Sequence, residues 1–152
     1  MPVKVKICGI TSIDDAMACV EAGADALGFN FYPQSPRYLS IENAAKITKH
    51  LPPFVGRVGL FVNANEETVR KTISVTGINS LQFHGDESPE FCRGFSPLKV
   101  IKVFRMEGPD TLKQLSDFVD ADAWLLDSFH PDKRGGTGSV FNWELARQAK
   151  DE

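Results

Sequence analysis

A chain of 152 residues, 42% hydrophobic and 24% charged, can bury a core and has the usual size of one domain, so a single domain over residues 1–152 is expected. A formal net charge of -3 leaves no electrostatic footprint for nucleic acid or for an anionic membrane surface. No apolar run approaches the roughly 20 residues of a bilayer-crossing helix, the start MPVKVKICGI lacks the apolar stretch of a secretory signal, and Cys8, Cys19 and Cys92 are too widely spaced for a disulfide framework; a cytoplasmic protein with reduced thiols is expected.

Short apolar runs alternate with segments of helical spacing, the pattern of successive β-α units. The first strand is Val3 to Cys8, whose period of two sets Val3, Val5 and Ile7 on one face and Lys4, Lys6 and Cys8 on the other. In a closed barrel the apolar face would pack on helices, while Lys6 and Cys8 would look toward the mouth. By residue type, Cys8 reads either as an inert buried thiol or as a general base aided by nearby lysine charge. Ser12 with Asp15 resembles a capping box, and Gly23 supplies the stop of the first helix.

Ala26 to Phe31 is the second strand, followed by the proline-rich loop Tyr32 to Tyr38. There Arg37 is either a solvated charge or a guanidinium fork for a substrate carboxylate. Ser40 opens a helix that ends at Leu51 before Pro52-Pro53. Gly56 to Val62 is the third strand; its continuous apolar run from Val58 is the mark of burial on both faces, hence of a parallel sheet covered by helices. Asn65 starts the next helix and Gly77 follows it.

Ser80 to His84 is the fourth strand, with Gln82 and His84 on one face; His84 is read as a structural histidine or as a substrate contact. Ser88-Pro89 begins a short helix with proline at its first position. Lys99 to Arg105, a helix from Asp110 to Phe118, and Trp124 to Asp127 follow. Asp127 stands after two leucines with no evident local partner, which makes it a candidate acid or a loop cap. The glycine-rich run Gly135-Gly136-Thr137-Gly138 then precedes a helix from Asn142 to Lys150; it lacks the endings of a Walker loop and the spacing of a dinucleotide fingerprint. Neither zinc-ligand spacing nor the elbow of a serine hydrolase occurs, so no metal or cofactor is expected. Periodicity leaves two architectures open: a closed barrel and an open doubly wound sheet.

In order along the chain, Val5-Lys6-Ile7-Cys8-Gly9-Ile10-Thr11, Gly23-Ala24-Asp25-Ala26-Leu27-Gly28-Phe29, Tyr32-Pro33 with Ser35 and Arg37-Tyr38, Val58-Gly59-Leu60-Phe61-Val62-Asn63, Leu81-Gln82-Phe83-His84-Gly85, Leu125-Leu126-Asp127-Ser128 and Gly135-Gly136-Thr137-Gly138 with Phe141 and Trp143 resemble the phosphoribosylanthranilate isomerases of tryptophan biosynthesis. The resemblance implies an α/β fold of the (β/α)8 TIM-barrel type with only the first six β-α units present, and so a chain truncated at its C-terminus. It implies an Amadori rearrangement of an aminoaldose to a 1-deoxyribulose aminoketone, without cofactor. Asp127 would be the general acid and Cys8 the general base. Arg37 would hold the anthranilate carboxylate, with His84, Gly135 and Gly136 also at the substrate. Asn142 departs from the aspartate usual in the family, and both residues cap helices. With two units missing, phosphate grip would be lost and open edges exposed; little activity and self-association are the expectations. The alternative reading is a catalytically silent barrel fragment that acts only through association with another chain, and an unrelated phosphate-binding α/β protein is a third.

Overall fold

The computed structural model describes residues 3–128 and 142–150, in two compact units, 1–82 and 83–152. The chain is an alternation of six strands with helical segments, as its apolar periodicity predicts.

In the first unit, β1 (Lys6–Cys8), β2 (Ala26–Asn30) and β3 (Gly56–Phe61) run parallel, with Cys8 opposite Gly28 and Gly28 opposite Val58. Between them lie α1 (Ile13–Glu21) and α2 (Ile41–Thr48), and α3 (Glu66–Thr76) leads into β4 (Ser80–Phe83). Each helix begins where a side chain takes up an orphan N–H: Ser12 accepts from Asp15 N, Ser40 from Asn43 N and Asn65 from Thr68 N. Gly77 closes α3 with a left-handed φ of 65°. The core contains Leu27, Phe29, Ala44, Ile47, Val58 and Val69, all at most 3% exposed. Thr48 Oγ1 donates to Thr76 O at 2.7 Å, tying α2 to α3 with a buried hydrogen bond.

In the second unit, α4 (Pro89–Arg93) is capped by Ser88, and β5 (Lys99–Met106) runs parallel to β6 (Ala123–Ser128) with Arg105 opposite Asp127. A 3₁₀ helix, Pro109–Phe118, joins these strands, and α5 (Trp143–Ala149) is capped by Asn142. Phe104, Met106, Leu115, Leu145 and Ala149 form the core, flanked by Leu112, Phe118, Trp124 and Leu126. Phe83, Phe91 and Phe95 make a separate aromatic cluster with centroids 5.1–5.4 Å apart.

Two expectations change. The segment after β5 is wound more tightly than an α-helix: its start at Gly108 has no side-chain cap, and Thr111 N bonds Gly108 O in the i→i+3 manner. The apolar face of the first strand is not sealed by helices. Val3, which precedes β1, is 86% exposed, and Val5 and Ile7 are 45% and 39% exposed beside residues of α1 and its exit, Ala18, Cys19, Ala22 and Gly23, that are too small to fill the space. A groove of about 300 Å³ remains there. No helix among the described residues is long and apolar enough to cross a membrane.

Candidate functional site

Parallel strands deliver their carboxyl ends to the loops that carry chemistry. Cys8 is the last residue of β1, Arg37 follows β2, His84 follows β4, and Asp127 is the penultimate residue of β6. Gly135 and Gly136 lie outside the described residues.

In the first unit the structure brings Cys8 and Arg37 together. Arg37 Nη1 donates to Cys8 O at 3.5 Å. Two glycines create the room. A Cβ on Gly28, which sits opposite Cys8, would lie 3.0 Å from Cys8 Sγ and 3.2 Å from its Cα. Gly9, at φ 86°, lets the Arg37 side chain cross over it; a Cβ there would lie 2.5 Å from Arg37 Cδ. Lys6, on the same face of β1 as Cys8, donates to Gln82 Oε1, a buried acceptor. The lysine charge expected beside the thiol is therefore engaged by an amide. Of the other cysteines, Cys92 is buried, which pushes its thiol up to about 11 and keeps it protonated.

In the second unit the partner that sequence could not supply for Asp127 is His84. His84 Nε2 lies 3.3 Å from Asp127 Oδ2, with the histidine side chain 7% exposed and the carboxylate 23%. Asp127 Oδ1 also accepts from Ser128 N at 2.8 Å. The hydrogen bond from His84 holds the Asp127 carboxyl below the ordinary aspartate value; burial opposes it, and the Ser128 N–H and the charge of Arg105 assist. Next to this pair is a second titratable pair: Lys102 Nζ donates to Glu87 Oε2 at 3.0 Å and to Gly85 O at 2.7 Å, both side chains at most 5% exposed. Such a buried, hydrogen-bonded pair fixes the turn after β4, because Glu87 Oε2 also accepts from Gly85 N at 2.9 Å. A cavity of about 660 Å³ opens beside it, between the loops that leave β4 and β5.

Sequence reading missed Asn30, the buried last residue of β2. Its Nδ2 donates to Ser35 Oγ at 2.9 Å and its Oδ1 accepts from Tyr32 N at 2.9 Å. An amide placed at the apolar end of a strand, where every neighbour in β2 is non-polar, was the available signal.

Residues 5–152 match the family model of N-(5'-phosphoribosyl)anthranilate (PRA) isomerase. An N-(5'-phosphoribosyl)anthranilate isomerase of Geobacter sp. (strain M21) is 51% identical over 149 residues, 98% of this chain and 72% of that protein. The crystal structure of phosphoribosyl anthranilate isomerase from Thermotoga maritima superposes with a TM-score of 0.91 at 41% identity, over 99% of this chain and 73% of that one. A phosphoribosyl anthranilate isomerase in complex with reduced 1-(o-carboxyphenylamino)-1-deoxyribulose 5-phosphate gives 0.86 at 39% identity, over 99% and 71%. With the family model spanning nearly its whole length and half its residues shared with such a relative, the chain belongs to the N-(5'-phosphoribosyl)anthranilate isomerase family.

Proposed function

We propose that this chain carries the machinery of N-(5'-phosphoribosyl)anthranilate isomerisation on a (β/α)8 type of barrel, as a cytoplasmic enzyme of tryptophan biosynthesis that needs no cofactor. The observation that carries this reading is the arrival of a guanidinium at the strand end that bears the thiol, Arg37 Nη1 donating to the backbone carbonyl of Cys8 at 3.5 Å. It supplies what the substrate needs at one place: a fork for the anthranilate carboxylate and a base for the adjoining sugar carbons.

The reaction divides between two proton carriers. Asp127 gives a proton to the furanose ring oxygen as the C1′–O bond breaks, and the nitrogen lone pair forms the iminium. Cys8, as general base, takes the C2′ proton, and the freed electron pair makes the enolamine. That species becomes the aminoketone when the C2′ hydroxyl loses its proton and C1′ gains one. His84 serves Asp127: its Nε2, 3.3 Å from Asp127 Oδ2, positions the carboxyl, and the lowered pKa of that carboxyl makes its protonated form the stronger acid toward the ring oxygen. Gly135 and Gly136 would contribute backbone N–H groups to the substrate.

The test is the loss of anthranilate fluorescence when the purified chain, or a complete barrel carrying these residues, meets freshly made substrate. Cys8→Ser and Asp127→Asn should each lower turnover by about 10²-fold or more, the usual worth of one positioned proton carrier. Turnover close to that of the unaltered protein would remove that residue from the mechanism. A second reading, a silent fragment working through association with another chain, has one observation in its favour, the exposed apolar face of Val3, Val5 and Ile7.

A further inference from the structure

Arg37 sits in a loop with no regular structure, yet a guanidinium meant to grip a carboxylate must be held before the ligand arrives, because ordering a long side chain on binding costs affinity. The loop is fixed from one residue. Asn30 is 7% exposed and uses both ends of its amide: Oδ1 accepts from Tyr32 N and Nδ2 donates to Ser35 Oγ, both at 2.9 Å. Ser35 Oγ in turn accepts from Arg37 N at 3.1 Å. The Asn30 carbonyl accepts from Leu39 N at 2.8 Å, which closes the loop on the strand it left. From the backbone position so fixed, the Arg37 side chain runs over Gly9, where any Cβ would strike it, and reaches the end of β1 at Cys8 O.

We infer that Asn30 and Ser35 are positioning residues for Arg37: a buried amide, through one hydroxyl, presets the guanidinium beside Cys8 and so sets the preference for a carboxylate-bearing substrate. The inference rests on the reading of Arg37 as the carboxylate fork. A purely structural role would leave the loop's stability dependent on Asn30 but the ligand's carboxylate unread.

Ser35 is the better handle, since it lies outside the core and its loss should leave the fold intact. The probes are reduced 1-(o-carboxyphenylamino)-1-deoxyribulose 5-phosphate and its counterpart without the carboxyl group, titrated calorimetrically against the full chain, together with NMR relaxation of the Arg37 Nε–H. Ser35→Ala should loosen the Nε–H and weaken the carboxylate ligand about three- to tenfold while leaving the other ligand unchanged. Ser35→Thr, which keeps the hydroxyl, should restore both. An Nε–H as ordered in Ser35→Ala as in the unaltered chain overturns the inference, as does equal weakening of the two ligands. The control is Arg37→Lys: if it too fails to distinguish the ligands, the carboxylate reading falls, and the Nε–H measurement alone still decides whether Asn30 and Ser35 position the arginine.

Discussion

The Asp127 carboxyl illustrates how one neighbour sets the chemistry of a residue. Burial alone would raise its pKa, yet the hydrogen bond from His84 outweighs burial and lowers it. Asp127 therefore favours its ionised form in the folded chain, and the stability this brings is present above the ordinary aspartate value of about 3.9 and lost as pH falls through the lower folded value. His84→Leu removes the leading cause and leaves burial, so the carboxyl should titrate at a higher pH than in the unaltered protein. A ¹³C NMR titration of the Asp127 side chain reads this directly, and a midpoint unchanged or lower would refute the assignment. Residue types at the strand ends were legible in the sequence, which is why Cys8, Arg37, His84 and Asp127 could be singled out. Their pairing was not. His84 and Asp127 meet across 43 positions of chain, and no local pattern encodes that contact. Asn30 escaped for the opposite reason: its partners Tyr32 and Ser35 are close in sequence, but its burial follows from the sheet.

At the scale of elements, one device recurs at the amino ends of strands. Asp25, just before β2, accepts from Val5 N at 2.8 Å and pairs with Lys4 at 2.7 Å, while its own N–H donates to Val5 O at 2.9 Å. Asp122, just before β6, does the same with Val100 N at 2.9 Å, Lys99 at 2.5 Å and Val100 O at 2.9 Å. Asn79, before β4, exchanges both bonds with Arg57 at 3.0 Å through an uncharged amide. Each clamp sets the register of a parallel pair at the end opposite the candidate site. Strand and helix existence could be read from periodicity and caps, whereas these clamps join residues about 20 apart whose adjacency depends on pairing already formed. In both aspartates the lysine bond leads the lowering of the carboxyl pKa and the backbone N–H follows. Their contribution to stability is thus present above the ordinary aspartate value and disappears as pH falls through the lowered one. Asn79 indicates that the backbone half of the clamp suffices, since exposed ion pairs contribute little. Asp25→Asn and Asp122→Asn should therefore melt close to the unaltered chain at pH 7, with a smaller loss on acidification to pH 3, while Asp→Ala at either position should melt lower at both. Thermal unfolding followed by circular dichroism across that range tests it; an asparagine variant as unstable as the alanine one at pH 7 would mean that the charge, not the backbone bond, holds the register.

The whole molecule differs most from the sequence expectation on one face of β1. Alternation set Val3, Val5 and Ile7 on a common side, and Val5 and Ile7 line one groove, but alternation cannot say whether anything covers that side. All three stay exposed, Val5 and Ile7 beside the groove floored by Ala18, Cys19 and Ala22. β1 is only three residues long and pairs through Lys6, Ile7 and Cys8 with β2, and the exposed Val3 and Val5 lead directly into it, so apolar side chains adjoin strand backbone, the combination that favours pairing between chains. A second copy of the chain offers an identical apolar strip, and self-association through it removes both from water. Light scattering of the purified chain should then give a mass that rises with concentration. Val3→Lys combined with Val5→Lys should shift it back toward the monomer, because charge beside an exposed strand opposes such pairing, and should leave the helix and strand content unchanged because neither side chain is part of the core. A monomeric mass for the unaltered chain at every concentration, or an equal mass for the doubly substituted one, would show that this face is not where copies meet.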